Sequence, residues 1–197
     1  MIAYYLTHPQ VEISPSIPLP SWSLSELGRR RAEALASRPW IKALGRIVSS
    51  DERKAVETAA IIGQATGLVP ETAADMGEND RSATGFLEPS AFEHAADRFF
   101  AEPERSWLGW ERATDAADRI AGAVDRALSG HGTEPILLVG HGAVGTLLKC
   151  RIDGRPISRA EDQPAGGGNI FAFRLSNRAL LCDWTPMEIF KGAEGAA

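Results

Sequence analysis

The sequence feature that most constrains the fold is the apolar run at residues 135–139, which ends directly in Gly140-His141-Gly142. A continuous apolar run bounded by turn residues predicts a strand buried on both faces, as in a parallel sheet that is covered by helices. A second run of this kind, at residues 2–6, ends in Thr7-His8-Pro9. Both predicted strands therefore lead straight into a histidine.

The rest of the chain alternates between strand and helix patterns, with Gly67 as a helix-ending residue. Such alternation predicts an α/β fold: a doubly wound, mostly parallel sheet with helices on both faces, arranged in three layers. The last two strands are close enough in sequence to form a hairpin. We expect helices over 25–37, 51–66, 107–128 and 143–150, a brief extended piece over 68–70, and strands over 45–50, 169–174 and 179–183.

The chain length of 197 residues fits one α/β domain, and we expect a single domain over 1–197. The pattern is least regular between residues 78 and 112, where Gly85, Pro89 and Pro103 interrupt it. This stretch is predicted to be a lid or insertion with short helices that selects the substrate.

Composition excludes several classes of function. A formal net charge of -5 and a pI near 5.4 give no basic surface for nucleic acid. The longest apolar runs are shorter than the roughly 20 residues that span a bilayer, so we expect no membrane association. Cys150 and Cys182 have neither disulfide nor metal-site spacing, and no signal peptide is visible, which together predict a cytoplasmic protein.

The histidines are the strongest candidates for chemistry. In doubly wound sheets, ligands bind beyond the carboxyl ends of the strands, where His8 and His141 are predicted to come together. An imidazole is a good nucleophile near neutral pH. No further ligand spacing supports a metal at this pair, and we expect surface positions for His94 and His131.

The ordered set of motifs resembles the histidine phosphatase superfamily, which includes the cofactor-dependent phosphoglycerate mutases. The match runs from about residue 2 to residue 173 in the family's order. Its parts are residues 6–10 for the strand and Arg-His-Gly, 24–32 for the first helix, 49–59 for Ser-Ser-Pro-x-x-Arg-Ala-x-x-Thr-Ala, 136–144 for the second histidine, and Asn169 after three glycines.

This resemblance implies a reaction and a set of roles. His8 would become phosphorylated, and Arg53 and His141 would bind the phosphoryl group. Glu78 would be the proton donor, with Asp80 as the second choice. The implied function is hydrolysis of a small phosphorylated molecule, with binding of inorganic phosphate and no cofactor or metal. The resemblance also implies that the chain could form a homodimer, for which the helix predicted to start at Trp107 would offer a surface.

The first motif departs from the family pattern, because Thr7 replaces the arginine and Pro9 replaces the glycine. A threonine can donate a hydrogen bond to phosphate but carries no charge, and losing one charged donor costs about 2–4 kcal/mol of transition-state stabilisation. We expect Arg81 or Gln10 to compensate in part. With Thr7 and Asn169, these residues complete the predicted phosphate-binding set.

Two other hypotheses about the function stay open. The altered first motif is also compatible with a non-catalytic protein that binds or senses a phosphorylated ligand on the same fold. Residues 140–145 formally match G-x-G-x-x-G, the dinucleotide fingerprint, with Asp162 at a suitable distance for the acidic residue. Because Asp162 does not close an apolar strand pattern, dinucleotide binding is the more remote of the two.

Overall fold

A computed structural model describes residues 1–130 and 132–193, so the predicted surface position of His131 lies outside the described residues. Its centre is a six-stranded sheet in the order β3-β2-β4-β1-β5-β6. The strands are β1 (Ile2–Thr7), β2 (Arg46–Ser49), β3 (Glu71–Thr72), β4 (Ile136–Gly140), β5 (Asn169–Arg174) and β6 (Leu180–Pro186). The helices are α1 (Glu26–Ala36), α2 (Arg53–Thr66), α3 (Pro89–Ala101), α4 (Ala113–Leu128) and α5 (Gly142–Asp153).

The sheet is mixed but mostly parallel. Strands β1, β4, β2 and β3 pair in parallel, whereas β5 is antiparallel to both β1 and β6. The predicted α/β fold class and the terminal hairpin are therefore confirmed. The brief extended piece expected at 68–70 leads directly into the short edge strand, which pairs at Glu71–Thr72.

The central strands alternate their side chains between two apolar cores. One core lies between the sheet and helices α3, α4 and α5, and it contains Tyr5, Leu138 and Phe171. The other lies between the sheet and helices α1 and α2, and it contains Leu6 and Val139. Because period-2 alternation sends successive residues to opposite faces, both faces of these strands are apolar and covered by helices, as predicted.

The segment from residue 78 to residue 112 differs from the prediction in two ways. It holds one 13-residue helix, α3, instead of several short ones. Helix α4 begins at Ala113 and not at Trp107, because Leu108 and Gly109 adopt positive φ angles of 52° and 79° that break a helix. Trp107 is partly buried against the core, so the exposed tryptophan-bearing helix expected as a dimer surface does not form there.

None of the helices in the described part of the chain is both long enough and apolar enough to cross a membrane.

Candidate active site

The two histidines lie side by side at the carboxyl edge of the sheet. In the parallel pairing of β1 with β4, Thr7 is the partner of Gly140, so the residues that follow them are neighbours. The backbone N–H of His8 donates to the Gly140 carbonyl at 3.0 Å. The ring centroids of His8 and His141 are 5.2 Å apart. Strand register therefore brings the predicted pair together.

The ring of His8 is held as a neutral imidazole. Its Nδ1 lies 2.8 Å from the Pro9 carbonyl oxygen, which can only accept, so Nδ1 carries the proton and Nε2 keeps its lone pair. Burial, with smaller contributions from the charges of Lys54 and Arg81, lowers the pKa of His8 to about 4. Replacing the family's glycine by Pro9 removes an N–H but retains the carbonyl that orients the ring.

His141 is fully buried and stands at the N-cap of α5. Its Nε2 lies 2.8 Å from the Ser50 hydroxyl and 3.5 Å from a carboxylate oxygen of Glu52. Burial lowers the pKa of His141 well below its ordinary value. Its Nδ1 is buried and has no hydrogen-bond partner among the described residues.

The structure does not bring Arg53 into the site. Its side chain is 61% exposed, and its Nε donates to Glu57 at 3.0 Å. Lys54 points inward instead, with a side chain only 7% exposed, because consecutive helical residues project about 100° apart. Lys54 is also the residue directly before Ala55, where the family element has its arginine. The cation that α2 contributes near the two histidines is therefore Lys54 and not the predicted Arg53.

The charge of Lys54 is already paired inside the protein. Its Nζ donates to the buried carboxylate of Glu52 and to the Leu19 carbonyl. The other oxygen of Glu52 accepts the backbone N–H of Glu78 at 2.7 Å. Burial alone would raise the pKa of Glu52, but the adjacent His141 and Lys54 lower it to about 2. No motif or periodicity in the sequence indicates this ion pair.

We call the five side chains that follow the strand ends the floor of the site, namely His8, Ser50, Glu52, Lys54 and His141. The segment at residues 78–112 forms the opposite side and is called the wall. A cavity of about 520 Å³ opens between the His8 end of the floor and the wall.

Glu78 brings a carboxyl group from the wall to the floor. Its two oxygens accept the backbone N–H groups of Ala143 and Val144, at 3.3 and 3.1 Å, in the first turn of α5. Burial nevertheless raises the pKa of Glu78. Asp80 is exposed, and a hydrogen bond from Ser82 lowers its pKa. A buried carboxyl with a raised pKa is the better proton donor, so the geometry favours Glu78 over Asp80.

Arg81 is the cation that the wall contributes. Its guanidinium lies over the rings of Phe92 and Trp110, at 5.2 and 5.6 Å from their centroids. In the described part of the chain, no carboxylate lies within ion-pair distance of it. Its charge lowers the pKa of His8 and His141 and opposes the raised pKa of Glu78, which places it close to all three.

Thr7 and Asn169 direct their hydrogen bonds elsewhere. The Thr7 hydroxyl donates to the Gln163 side-chain oxygen at 2.7 Å. The Asn169 amide nitrogen donates to the same oxygen at 3.0 Å and to the Pro164 carbonyl at 2.9 Å. With both of its N–H groups used, Asn169 has none left for phosphate, so the two residues position the Gln163 loop. Gln10 does line the cavity, and its side-chain oxygen accepts from Arg31 at 2.7 Å.

Two glycine positions keep the backbone close to the floor. Gly167 has a φ of 63°, and a Cβ there would lie 2.4 Å from the His8 carbonyl oxygen. A Cβ on Gly142 would lie 2.2 Å from the side-chain nitrogen of Gln163. Only glycine allows both approaches without displacing the residues that flank the two histidines.

The cavity also contains a donor that sequence reasoning missed. Asn79 lines the cavity and is 4% exposed, and its amide nitrogen has no partner among the described residues. An unpaired buried N–H group adjacent to Glu78 is available to an oxygen of a bound ligand. No motif or periodicity in the sequence distinguishes it from an ordinary loop asparagine.

The structure does not fit the hypothesis that residues 140–145 bind a dinucleotide. Helix α5 leads into a loop and then into β5, which is antiparallel to β1, so no parallel βαβ unit follows the glycine motif. The N–H groups that would bind a pyrophosphate are occupied by Glu78. Asp162 accepts from Thr146 in a loop instead of ending a strand. In the part of the chain that the structure describes, no group of three or more suitable side chains could hold a metal ion.

Comparisons with known proteins agree with this architecture. Residues 19–184 match the family model described as the histidine phosphatase superfamily (branch 1), a range that contains His141 and begins after His8. None of the curated proteins matches the chain.

Solved structures share the fold at low sequence identity. Mycobacterial glucosyl-3-phosphoglycerate phosphatase with inorganic phosphate is 21% identical, with 96% of this chain and 99% of that chain covered and a TM-score of 0.77. The same phosphatase is also solved with VO3, at 23% identity, coverage of 94% and 98%, and a TM-score of 0.77. Bacillus stearothermophilus YhfR is 21% identical, with 91% and 93% covered and a TM-score of 0.78.

Proposed function

Because the chain belongs to the histidine phosphatase superfamily, we propose that it hydrolyses small phosphomonoesters through a phosphohistidine formed on His8. One observation carries the proposal: the unprotonated Nε2 of His8 and the raised-pKa carboxyl of Glu78 border the same cavity. A nucleophile and an acid with separated pKa values are what such a reaction needs at neutral pH. The phosphate and vanadate complexes of the mycobacterial phosphatase support the same class of ligand.

In the first step, Nε2 of His8 attacks phosphorus and the bond from phosphorus to the ester oxygen breaks. The electron pair of that bond stays on the leaving oxygen, which takes the proton of Glu78 and departs as an alcohol. In the second step, water attacks phosphohistidine while the Glu78 carboxylate takes its proton. The nitrogen–phosphorus bond breaks, its electrons return to His8, and inorganic phosphate is released.

Charge on the transferring phosphoryl group is stabilised mainly from the wall in this proposal. Arg81 has no carboxylate partner in the described structure, and the side-chain amide of Asn79 is unpaired. Lys54 contributes less, because Glu52 already neutralises it. Preorganised donors of this kind stabilise a transition state without reorganising.

A specific observation favours a second candidate, a non-catalytic binder of phosphorylated ligands. The floor lacks an arginine at Thr7, and its lysine is paired with an internal carboxylate. Within the enzymatic reading, hydrolysis is favoured over mutase chemistry. A mutase must protect its phosphoenzyme from water in a closed, highly charged pocket, and the floor has little free charge for that task.

We propose the cytoplasm as the compartment, since Cys150 and Cys182 are both free thiols. A homodimer stays a prediction. Residues 78–112 are proposed to act as the lid that selects the substrate, and this role underlies the inference developed below.

The experiment that tests the function is detection of phospho-His8. The protein is mixed with 4-nitrophenyl phosphate, quenched without acid, digested and analysed by mass spectrometry, with wild type compared with His8→Gln. His94→Gln is the matched control, because His94 is exposed and lies outside the cavity. We expect phosphate on His8 and a loss of at least about 10³ in turnover for His8→Gln only.

Equal background rates for wild type and His8→Gln, together with clear binding of inorganic phosphate, would establish the binder instead. Turnover that survives in His8→Gln would show that another group is the nucleophile.

A further inference from the structure

We infer that the alcohol part of the substrate is neutral and largely apolar, as in a benzyl or long-chain alkyl phosphate, and carries no second anion. The inference rests on the proposed function and names the substrate class of the same site. It follows from two properties of the cavity beyond the reacting groups: its apolar lining and the pairing of its charges.

The surface that would contact the alcohol is mostly apolar. Aromatic side chains from α3 and the residues after it line one side, while Val11 and Ile13 line the side near His8. Ile13 is 62% exposed and lines the cavity, so its side chain is accessible to a bound molecule. A bound apolar group would remove this surface from water, which favours its binding. The aromatic members are Phe92, Phe99, Phe100 and Trp110.

The second cation of the cavity cannot serve an additional anion. Arg159 donates to Glu93 at 2.6 Å and lies 3.5 Å from Asp162, and both carboxylates also line the cavity. A third acid, Asp97, lies 3.8 Å from it. Arg159 is therefore more than neutralised by its neighbours.

Arg81 is the remaining cation among the described residues that line the cavity, and it is close to the phosphoryl-transfer groups. A carboxylate or second phosphate on the alcohol would find no free positive charge, and it would face Glu93 and Asp162. Like charges brought together in a partly desolvated site disfavour binding. The charge pattern thus selects against substrates with two anionic groups.

The decisive comparison uses benzyl phosphate and 4-carboxybenzyl phosphate, which share the same leaving oxygen and differ by a remote carboxylate. We expect kcat/KM to be at least about tenfold higher for benzyl phosphate. Glu93→Gln should narrow the ratio of the two kcat/KM values, because it removes one of the carboxylates that surround Arg159 and would repel a second anion. Glu88→Gln is the control at an exposed position outside the cavity. A ratio near one, or a preference for the carboxylated ester, would overturn the inference.

A second pair of variants tests the apolar lining. Ile13→Ser should lower kcat/KM for benzyl phosphate about 3- to 10-fold and leave methyl phosphate nearly unchanged. Ile17→Ser is the matched control, because Ile17 is also exposed but does not line the cavity. An equal loss on both esters would contradict a contact with the alcohol.

Binding of benzylphosphonate and 4-carboxybenzylphosphonate, measured by calorimetry, separates the two levels of proposal because neither compound can be hydrolysed. If the protein bound benzylphosphonate preferentially but hydrolysed neither phosphate ester, the proposed phosphatase function would be wrong and the preference for a neutral, apolar ligand would be supported. If the protein hydrolysed both esters and bound both phosphonates with equal affinity, the phosphatase function would be supported and the preference for a neutral, apolar substrate would be contradicted.

Discussion

The floor and the wall of the site carry similar charged groups but use them differently. On the floor, Lys54 and Glu52 neutralise each other, and both are buried. On the wall, Arg81 has no carboxylate partner in the described structure. The carboxyl of Glu78 accepts hydrogen bonds from backbone N–H groups, which lower its pKa, but burial has the larger effect and raises it. In the proposed mechanism the nucleophile therefore lies on the floor, whereas the acid and the free cation come from the wall.

The largest test of this division is Glu78→Gln. Without the proton donor, turnover of alkyl phosphates should fall by about 10² to 10⁴, because an alkoxide leaves poorly without a proton. Turnover of 4-nitrophenyl phosphate, whose leaving group needs no proton, should change far less. Asp80→Asn is the control, and steady-state rates on both esters are the measurement.

The pH dependence gives this test a second readout. Since the pKa of Glu78 is raised, its acid form persists to higher pH than for an ordinary carboxyl, and the rate on alkyl esters should fall as pH rises through that pKa. The pKa of His8 is near 4, so the nucleophile is lost only as pH falls through about 4. If Glu78→Gln kept the alkaline decline, Glu78 would not be the acid.

Arg81→Ala should produce the next largest effect. Removing the cation that we place on the phosphoryl oxygens should lower kcat/KM by about 10² to 10³ on every phosphomonoester. Arg53→Ala is the matched control, because its guanidinium is exposed and bound to Glu57. A larger loss of kcat/KM for Arg53→Ala than for Arg81→Ala would show that Arg53 binds the phosphoryl group, as predicted from the sequence, and that Arg81 on the wall does not.

The contrast between Arg53 and Lys54 also shows which parts of the site can be predicted from the sequence. The strands and the pairing of His8 with His141 could be predicted, because buried apolar runs and parallel topology place strand ends at one edge. The choice of Lys54 over Arg53 also follows from the sequence, because Lys54 directly precedes Ala55 in the family element, whereas the burial of Lys54 against Glu52 is visible only in the structure.

The rest of the site depends on contacts between distant segments. Glu52 meets the backbone of Glu78, 26 residues away, and Thr7 meets Gln163, 156 residues away. No local pattern encodes either contact. Likewise, Trp107 fits the amphipathic pattern of the next helix, but the positive φ of Leu108 ends that continuity.

The smallest expected effect tests whether the paired charges of the floor limit phosphate binding. Glu52→Gln leaves Lys54 without its counter-ion, so affinity for inorganic phosphate should rise about tenfold, measured by calorimetry. The free energy of unfolding should fall by about 3 kcal/mol, because an uncompensated buried ammonium remains, and added phosphate should recover part of that loss. Glu26→Gln, at an exposed pair with Arg30, is the control for both measurements. If the affinity for phosphate stayed unchanged while the free energy of unfolding fell, Lys54 would only stabilise the fold. The wall would then be the sole source of positive charge for the phosphoryl group.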